Sequence, residues 1–179
     1  KGILNKKNQV IYFEGIDKIS PDDIDYGKQL NFVLKPLSVG MQNKDQITLG
    51  SFPAFVKTDS LLASIQNENN AVLVNAENVG GTMYSGPGAG AKPTANSVLS
   101  DVIDIARGKI FDYGKFVQQD LSSSFDNFSC DRYLKLQVND KPGVVAKIST
   151  LLAKNNLSID NLIQKELERS DDQIPLVIV

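Results

Sequence analysis

The chain contains no histidine and no tryptophan, and a single cysteine, Cys130, stands among its 179 residues. Without histidine there is no Ser-His-Asp or Cys-His nucleophile and none of the common zinc sites, so proton transfer is left to Asp, Glu, Lys or Tyr. One cysteine can form no intrachain disulfide and no thiolate metal cluster, which fits a reducing compartment and a buried small residue in a connector. Charge of one sign is lacking as well: 19 Lys and Arg face 21 Asp and Glu, for a net charge of -2. No basic stripe marks a nucleic-acid footprint. The longest apolar runs are too short to span a bilayer, and no basic-then-apolar leader opens the chain. The reading is therefore a cytoplasmic protein with neither nucleic-acid nor membrane partners. Hydrophobic content of 41% with 22% charged residues describes an ordinary globular chain, long enough for one domain with a good core or two small ones. Because it starts at Lys1 without Met and stops inside the apolar run Ile174–Val179, a piece cut from a longer protein is expected.

The most informative stretch present is Gly86-Pro87-Gly88-Ala89-Gly90-Ala91-Lys92-Pro93-Thr94. Three alternating glycines allow backbone angles and close approaches that a Cβ forbids, and two prolines limit the slack. Thr94 reads as an N-cap, after which Ala95, Val98, Leu99, Val102, Ile105 and Ala106 recur at helical spacing. Free N–H groups and the positive dipole end at such a start favour anionic or carbonyl-bearing ligands. The residues alone also allow a plain strand-to-helix connection. Known nucleotide motifs do not decide it: the Walker pattern fails at Ala91-Lys92-Pro93, and the glycines give G-x-G-x-G rather than the dinucleotide G-x-G-x-x-G.

Ahead of this loop, Val10–Phe13 reads as a strand, and Ser20-Pro21-Asp22-Asp23 starts a helix running to about Gln29. Leu30–Val39 is a strand in which Pro36 points to an edge or an irregularity, Met41–Asp45 a turn, and Ile47–Val56 a strand interrupted by Pro53. Asp59 is positioned to cap a short helix through Leu61, Leu62 and Ile65. Ala71–Val74 is a buried-strand candidate, and Val79–Tyr84 leads into the glycine loop. Strands mixed with helices argue for an α+β class. Residues 108–129 are polar and turn-prone, with Lys115-Phe116-Val117 able to dock on the first domain, and the domain boundary is placed there.

Beyond it Leu134, Leu136 and Val138 alternate with Tyr133, Lys135 and Gln137, the period of a strand with one buried face. Asn139–Gly143 is a turn, Val144, Ile148, Leu151 and Leu152 take helical spacing up to Asn155-Asn156, Ser158–Glu168 is a strand, Ser170–Asp172 a turn and Ile174–Val179 a third strand.

Two resemblances sharpen this reading. Residues Tyr84–Val102 closely resemble the Y-G-P-G-A-G-x-x-P-T-A-S-A-V-x-x-D signature of homoserine dehydrogenases, and Glu14-Gly15-Ile16 and Asn70-Ala71-Val72 resemble that family's E-G-I and N-A-V stretches in the same order. The likeness covers most of residues 10–107 and implies the C-terminal part of a catalytic and dimerisation domain, here residues 1–107. It further implies that Gly90, with Gly88 and Ala89, touches the nicotinamide of NAD or NADP, that the reaction interconverts L-aspartate 4-semialdehyde and L-homoserine in threonine and methionine biosynthesis, and that the chain forms a homo-oligomer. The chain departs from the family at Asp59–Ala63, where a His-Pro-Leu-Ala type stretch is usual, and at Asn96 in place of Ser. The family's Rossmann unit, catalytic lysine and substrate-binding acids correspond to segments upstream of Lys1, so no catalytic residue is assigned. Lys35, Glu14 and Lys92 are tempting, but a lone Lys or Glu is far more often a solvated charge. Asp140–Ile148 resembles an ACT domain, a ferredoxin-like module that binds amino acids, incomplete here and assigned to residues 130–179. That likeness implies effector contacts at Asn139, Asp140, Gly143 and Val144, with L-threonine as effector, although a Pro-Gly turn that merely starts a helix accounts for the same residues. The alternative for the whole chain is a regulatory and oligomerisation fragment without activity of its own.

Overall fold

The computed structural model describes residues 3–4, 11–109, 117–118, 122–125, 128–164 and 173–179. Contacts divide the chain into two units that are not linear in sequence: Lys1–Ser20 with Asn31–Asn127, and Pro21–Leu30 with Phe128–Val179.

The first unit is built on a long antiparallel hairpin, β3 (Phe32–Asn43) and β4 (Gln46–Lys57), closed by Lys44 and Asp45. β4 runs through Pro53, which was expected to interrupt it, and β3, with Pro36, is an edge strand among the described residues. The register puts Pro36 directly opposite Pro53. Such a pair cannot exchange N–H···O bonds, so it occupies a non-hydrogen-bonded site where neither missing N–H is needed by the partner. The missing donor of Pro53 instead faces the other edge of β4. There β2 (Ile11–Phe13) pairs in parallel, its ladder ending where the Glu14 N–H donates to the Ser51 carbonyl at 3.0 Å. The next bond in a parallel ladder would come from residue 53, and proline has none to give. β8 (Ser122–Ser123) pairs farther along the same edge, giving a mixed sheet ordered β2-β4-β3 with β8 on β4. Tyr12 stacks on Phe125 at 4.3 Å over this sheet, with Phe52 edge-on to both. Gly50 makes room for them, since a Cβ there would lie 2.7 Å from the Phe125 ring and 2.9 Å from Phe52.

Ser60, not Asp59, caps the following turn: its Oγ accepts from the Leu62 N–H at 3.4 Å ahead of a 3-10 helix, Leu61–Ser64. β5 (Asn69–Ala76) and β6 (Gly80–Pro87) form a separate antiparallel hairpin. Gly80, at φ +70°, closes its three-residue loop. The expectation of burial at Ala71–Val74 is corrected here, because Val72 and Val74 are exposed. A run that is apolar on both faces of a two-stranded ribbon needs a layer on each, and among the described residues none covers the face of Val72 and Val74. Helix α2 (Ala91–Ala106) follows, with no buried residue. A two-residue parallel pair, β1 (Ile3–Leu4) with β7 (Val117–Gln118), completes the unit. Lys115 and Phe116 lie outside the described residues.

The second unit has strand order β10-β11-β9, all antiparallel, formed by β9 (Leu134–Asn139), β10 (Leu162–Gln164) and β11 (Gln173–Ile178), with α3 (Val144–Lys154) between β9 and β10. That is the strand-helix-strand-strand start of a ferredoxin-like module. The second strand begins at Leu162 rather than Ser158; residues 157–161 belong to no strand, and the Asp160 and Asn161 N–H groups donate to the Val179 carbonyl instead. The Ser170–Asp172 turn lies outside the described residues. Central β11 carries the core, with Leu176 and Val177 both at 0% exposure. Successive residues of a strand point to opposite faces, so this central strand is closed to water on both. One face holds Leu134, Leu136 and Val138, as their alternation predicts. The other holds Lys135 opposite Val177, and α1 (Pro21–Gln29) belongs to this unit with Asp23 and Tyr26 buried. The expectation of a single buried face for β9 is thereby corrected.

Candidate functional site

The glycine loop is shorter than its sequence suggests. Gly86 and Pro87 are the last residues of β6, paired with Asn70 and Asn69, which leaves Gly88, Ala89 and Gly90 as the link to α2. Gly88 is tied back by its N–H to the Glu68 carbonyl at 2.8 Å, and the Asn70 side chain occupies the space a Cβ on Gly88 would need. Gly90 is the N-cap of α2 at φ 113°, ψ 158°, a region essentially closed to every residue but glycine. Thr94, expected as the cap, sits instead in the first turn. Its N–H and Oγ1 both donate to the Gly90 carbonyl, at 3.2 and 2.9 Å. The helix can begin four residues early because Pro93 is its third residue, where the missing N–H has no intrahelical partner to lose. Gly88, Ala89 and Gly90 are all exposed, as are the first residues of α2. By position the amides of Ala91 and Lys92 have no helical acceptor. This is a cradle of backbone groups, with the Asn70 side chain beside Gly88, fit for a carboxamide or other carbonyl-bearing group. Beyond it Val98, Leu99, Val102 and Ile105 on α2 are 56–74% exposed, and before it Tyr84 on β6 is 66% exposed.

The tempting charged residues have local partners. Lys35 Nζ donates to the Ile65 carbonyl, and Glu14 Oε2 accepts from Tyr12 at 2.9 Å. Lys92 is exposed in the first turn of α2. Among the described residues no group of three His, Cys, Asp or Glu could hold a metal, and no helix is long and apolar enough to cross a membrane. Cys130 is exposed, contrary to its reading as a buried residue.

The second candidate site is the turn from β9 into α3. Asn139 ends β9, Asp140 and Gly143 are exposed, and Val144 is the half-buried first residue of the helix. The turn is held by the Lys141 N–H on the Asn139 carbonyl at 2.9 Å and the Val144 N–H on the Lys141 carbonyl at 3.3 Å. Gly143, left-handed at φ 89°, caps α3 with no side-chain bond, so the next amides, of Val145 and Ala146, are open at the helix start.

Sequence reasoning missed a third cluster. Asp23 Oδ1 accepts from the Tyr133 hydroxyl at 2.7 Å and pairs with Lys135 Nζ at 2.6 Å, the Asp23 side chain being 4% exposed. Burial, then the hydrogen bond and charge of Asp23, hold the Tyr133 phenol far above its ordinary value of 10.0. Burial followed by the charge of Asp22 raises that of Tyr26. Asp23 reads locally as an acid favouring a helix dipole, and the partners lie about 110 residues away, so no local signal could have found them. The one hint is that Tyr133 and Lys135 share the polar side of an amphipathic strand.

Known proteins resemble the chain over both of its units. The homoserine dehydrogenase family profile matches residues 4–103 and the ACT domain profile residues 132–179. The homoserine dehydrogenase of Helicobacter pylori is 36% identical over 170 residues, covering 94% of this chain and 40% of that protein. That of Pseudomonas aeruginosa is 34% identical over 178 residues, covering 94% and 41%. The crystal structure of a homoserine dehydrogenase from Thiobacillus denitrificans superimposes with a TM-score of 0.70 at 29% identity, over 94% of this chain and 40% of that one. The chain thus spans about two fifths of the length of the relatives it matches.

Proposed function

The chain belongs to the homoserine dehydrogenase family and carries an ACT domain, and from this premise we propose that it supplies the cofactor-facing loop and the regulatory module of an NAD(P)-dependent enzyme. The reaction is the interconversion of L-homoserine and L-aspartate 4-semialdehyde, placed in threonine, methionine and isoleucine biosynthesis. The observation that carries the proposal is Gly90: the last glycine of the family-like motif holds a φ of 113° that only glycine tolerates, at the head of a helix whose first amides are open. In this reading Gly88, Ala89 and Gly90 orient the nicotinamide ring by backbone contacts alone, and α2 offers its N-terminal amides to the carboxamide. NAD or NADP supplies the hydride acceptor or donor when bound. The groups that bind substrate and move its proton lie outside these 179 residues, in keeping with the two-fifths coverage of the relatives. Residues 1–107 are proposed as the end of the catalytic and dimerisation domain, 108–129 as connector and 130–179 as the ACT module. A homo-oligomer in the cytoplasm is part of the proposal, supported by the exposed apolar residues of α2 and by the lone cysteine.

The effector site is proposed at Asn139, Asp140, Gly143 and Val144, where the open start of α3 can receive an amino-acid carboxylate, L-threonine being the candidate. A second reading, a regulatory and oligomerisation unit without activity, is favoured for the 179 residues taken alone. Complete burial is concentrated in the ACT strands at Leu176 and Val177, while α2 has no buried residue. The two readings separate in one assay. The protein bearing this chain behind a dinucleotide-binding domain should reduce NAD(P) when given homoserine, and the 179 residues alone should not. Turnover by the isolated chain would place the chemistry in residues assigned none. For the effector, millimolar L-threonine should give heat in calorimetry and raise thermal stability; absence of both removes threonine.

A further inference from the structure

Helix α1 lies inside the stretch matched by the dehydrogenase family, yet its contacts group it with the ACT strands. The bond between them is Asp23. A carboxylate with 4% of its side chain exposed is costly unless it is paired, and two of its partners, Tyr133 and Lys135, come from β9 or the residue before it. Tyr26, three residues on and itself 4% exposed, lies within electrostatic reach of both partners. These groups occupy the side of β9 opposite Leu134, Leu136 and Val138, beside the fully buried Val177 that pairs with Lys135. The clamp therefore grips the same strand whose far end, Asn139, opens into the turn before α3. At its own two ends α1 continues by backbone into the segments that carry β2 and β3.

We propose that α1 is the transmission helix of the regulatory module: clamped to β9 through Asp23, it opens and shifts with the ACT strands, and its two chain joins pass that shift to β2 and β3. The use of this link by an amino-acid effector rests on the reading of the module given above; the clamp itself does not. Amide hydrogen exchange on the 179-residue chain, without amino acid or cofactor, tests it. The amides of α1 should exchange at the same slow rate as those of β9 and β11. Lys135→Met, which removes the cation paired with the buried Asp23 carboxylate, should speed α1 exchange at least about tenfold while β3–β4 protection stays unchanged. Should Lys135→Met unfold the module, Tyr133→Phe, which keeps the ion pair, should give a smaller acceleration confined to α1. Exchange of α1 in step with β3–β4 in the unaltered chain, or unaltered α1 exchange in the variant that folds, overturns the clamp. For transmission, Leu176→Ala should loosen the module and speed exchange at the two joins. These are the Ile19 N–H on the Ile16 carbonyl and the Thr58 N–H on the Asn31 carbonyl, both at 3.0 Å. Adding Lys135→Met should remove that dependence on residue 176. Joins indifferent to Leu176→Ala, or equally sensitive with and without the clamp, overturn the transmission. Because no effector or cofactor is present, failure here leaves the dehydrogenase assignment standing, and failure of the homoserine assay leaves the clamp standing.

Discussion

Asp23 stays buried because two donors hold one of its oxygens, and removing either should be felt at once. Tyr133→Phe forfeits a hydrogen bond to a charged, buried acceptor and is expected to cost about 1–3 kcal/mol of unfolding free energy in urea titrations. The pH dependence has a definite sign. The folded chain holds the Tyr133 proton well above its ordinary value of 10.0, so the stabilisation is complete below about pH 10 and is lost progressively as pH rises further, when only the unfolded state releases it. Tyr133→Phe should flatten the alkaline side of the stability profile; a profile as steep as that of the unaltered chain would show that Tyr133 does not contribute to it. Gly90 makes an opposite demand, needing no partner but a backbone state that side chains avoid. Gly90→Ala should cost about 1–3 kcal/mol through strain at φ 113°, read in the same titrations, and should also impair NAD(P) use by the active protein.

Elements show where a linear reading of residues succeeds and where it stops. The helix from Pro21 to Gln29, α3 from Val144 to its stop at Asn155-Asn156, and the strand of β9 were all legible, because cap, period and stop agree within each segment, whereas the second covered face of β9 was not. Pro36 was legible as the mark of an edge, which β3 is among the described residues, whereas Pro53 was misread as a break because a proline is harmless when the register places it at a non-hydrogen-bonded pair, and register is set by the partner strand. The start of α2 was misplaced for a related reason: Thr94 has the chemistry of a cap, but Gly90 has the geometry of one. Gly50 was not singled out at all, since its importance comes from Phe125, far along the chain. Gly50→Ala should overpack the Tyr12–Phe52–Phe125 cluster and cost about 1–3 kcal/mol in chemical denaturation. Adding Phe125→Ala should recover part of that loss; no recovery would place the strain elsewhere.

On the scale of the whole molecule, the two resemblances and the α+β class were legible because a long glycine motif and a strand-turn-helix pattern are local. The membership of α1 in the ACT unit was not, since it is set by tertiary contacts such as that of Asp23. Nor was the exposure of α2 and the β5–β6 hairpin, whose apolar residues have the composition of a core but no covering layer among the described residues. Such surface is what a segment of a larger dehydrogenase would present, and it flanks the loop assigned to the cofactor. The most direct measurement is a crystal structure of the active protein with NAD(P) bound. The account predicts the nicotinamide ring in contact with the backbone of Gly88–Gly90 at the head of α2; a ring bound away from this loop would contradict it.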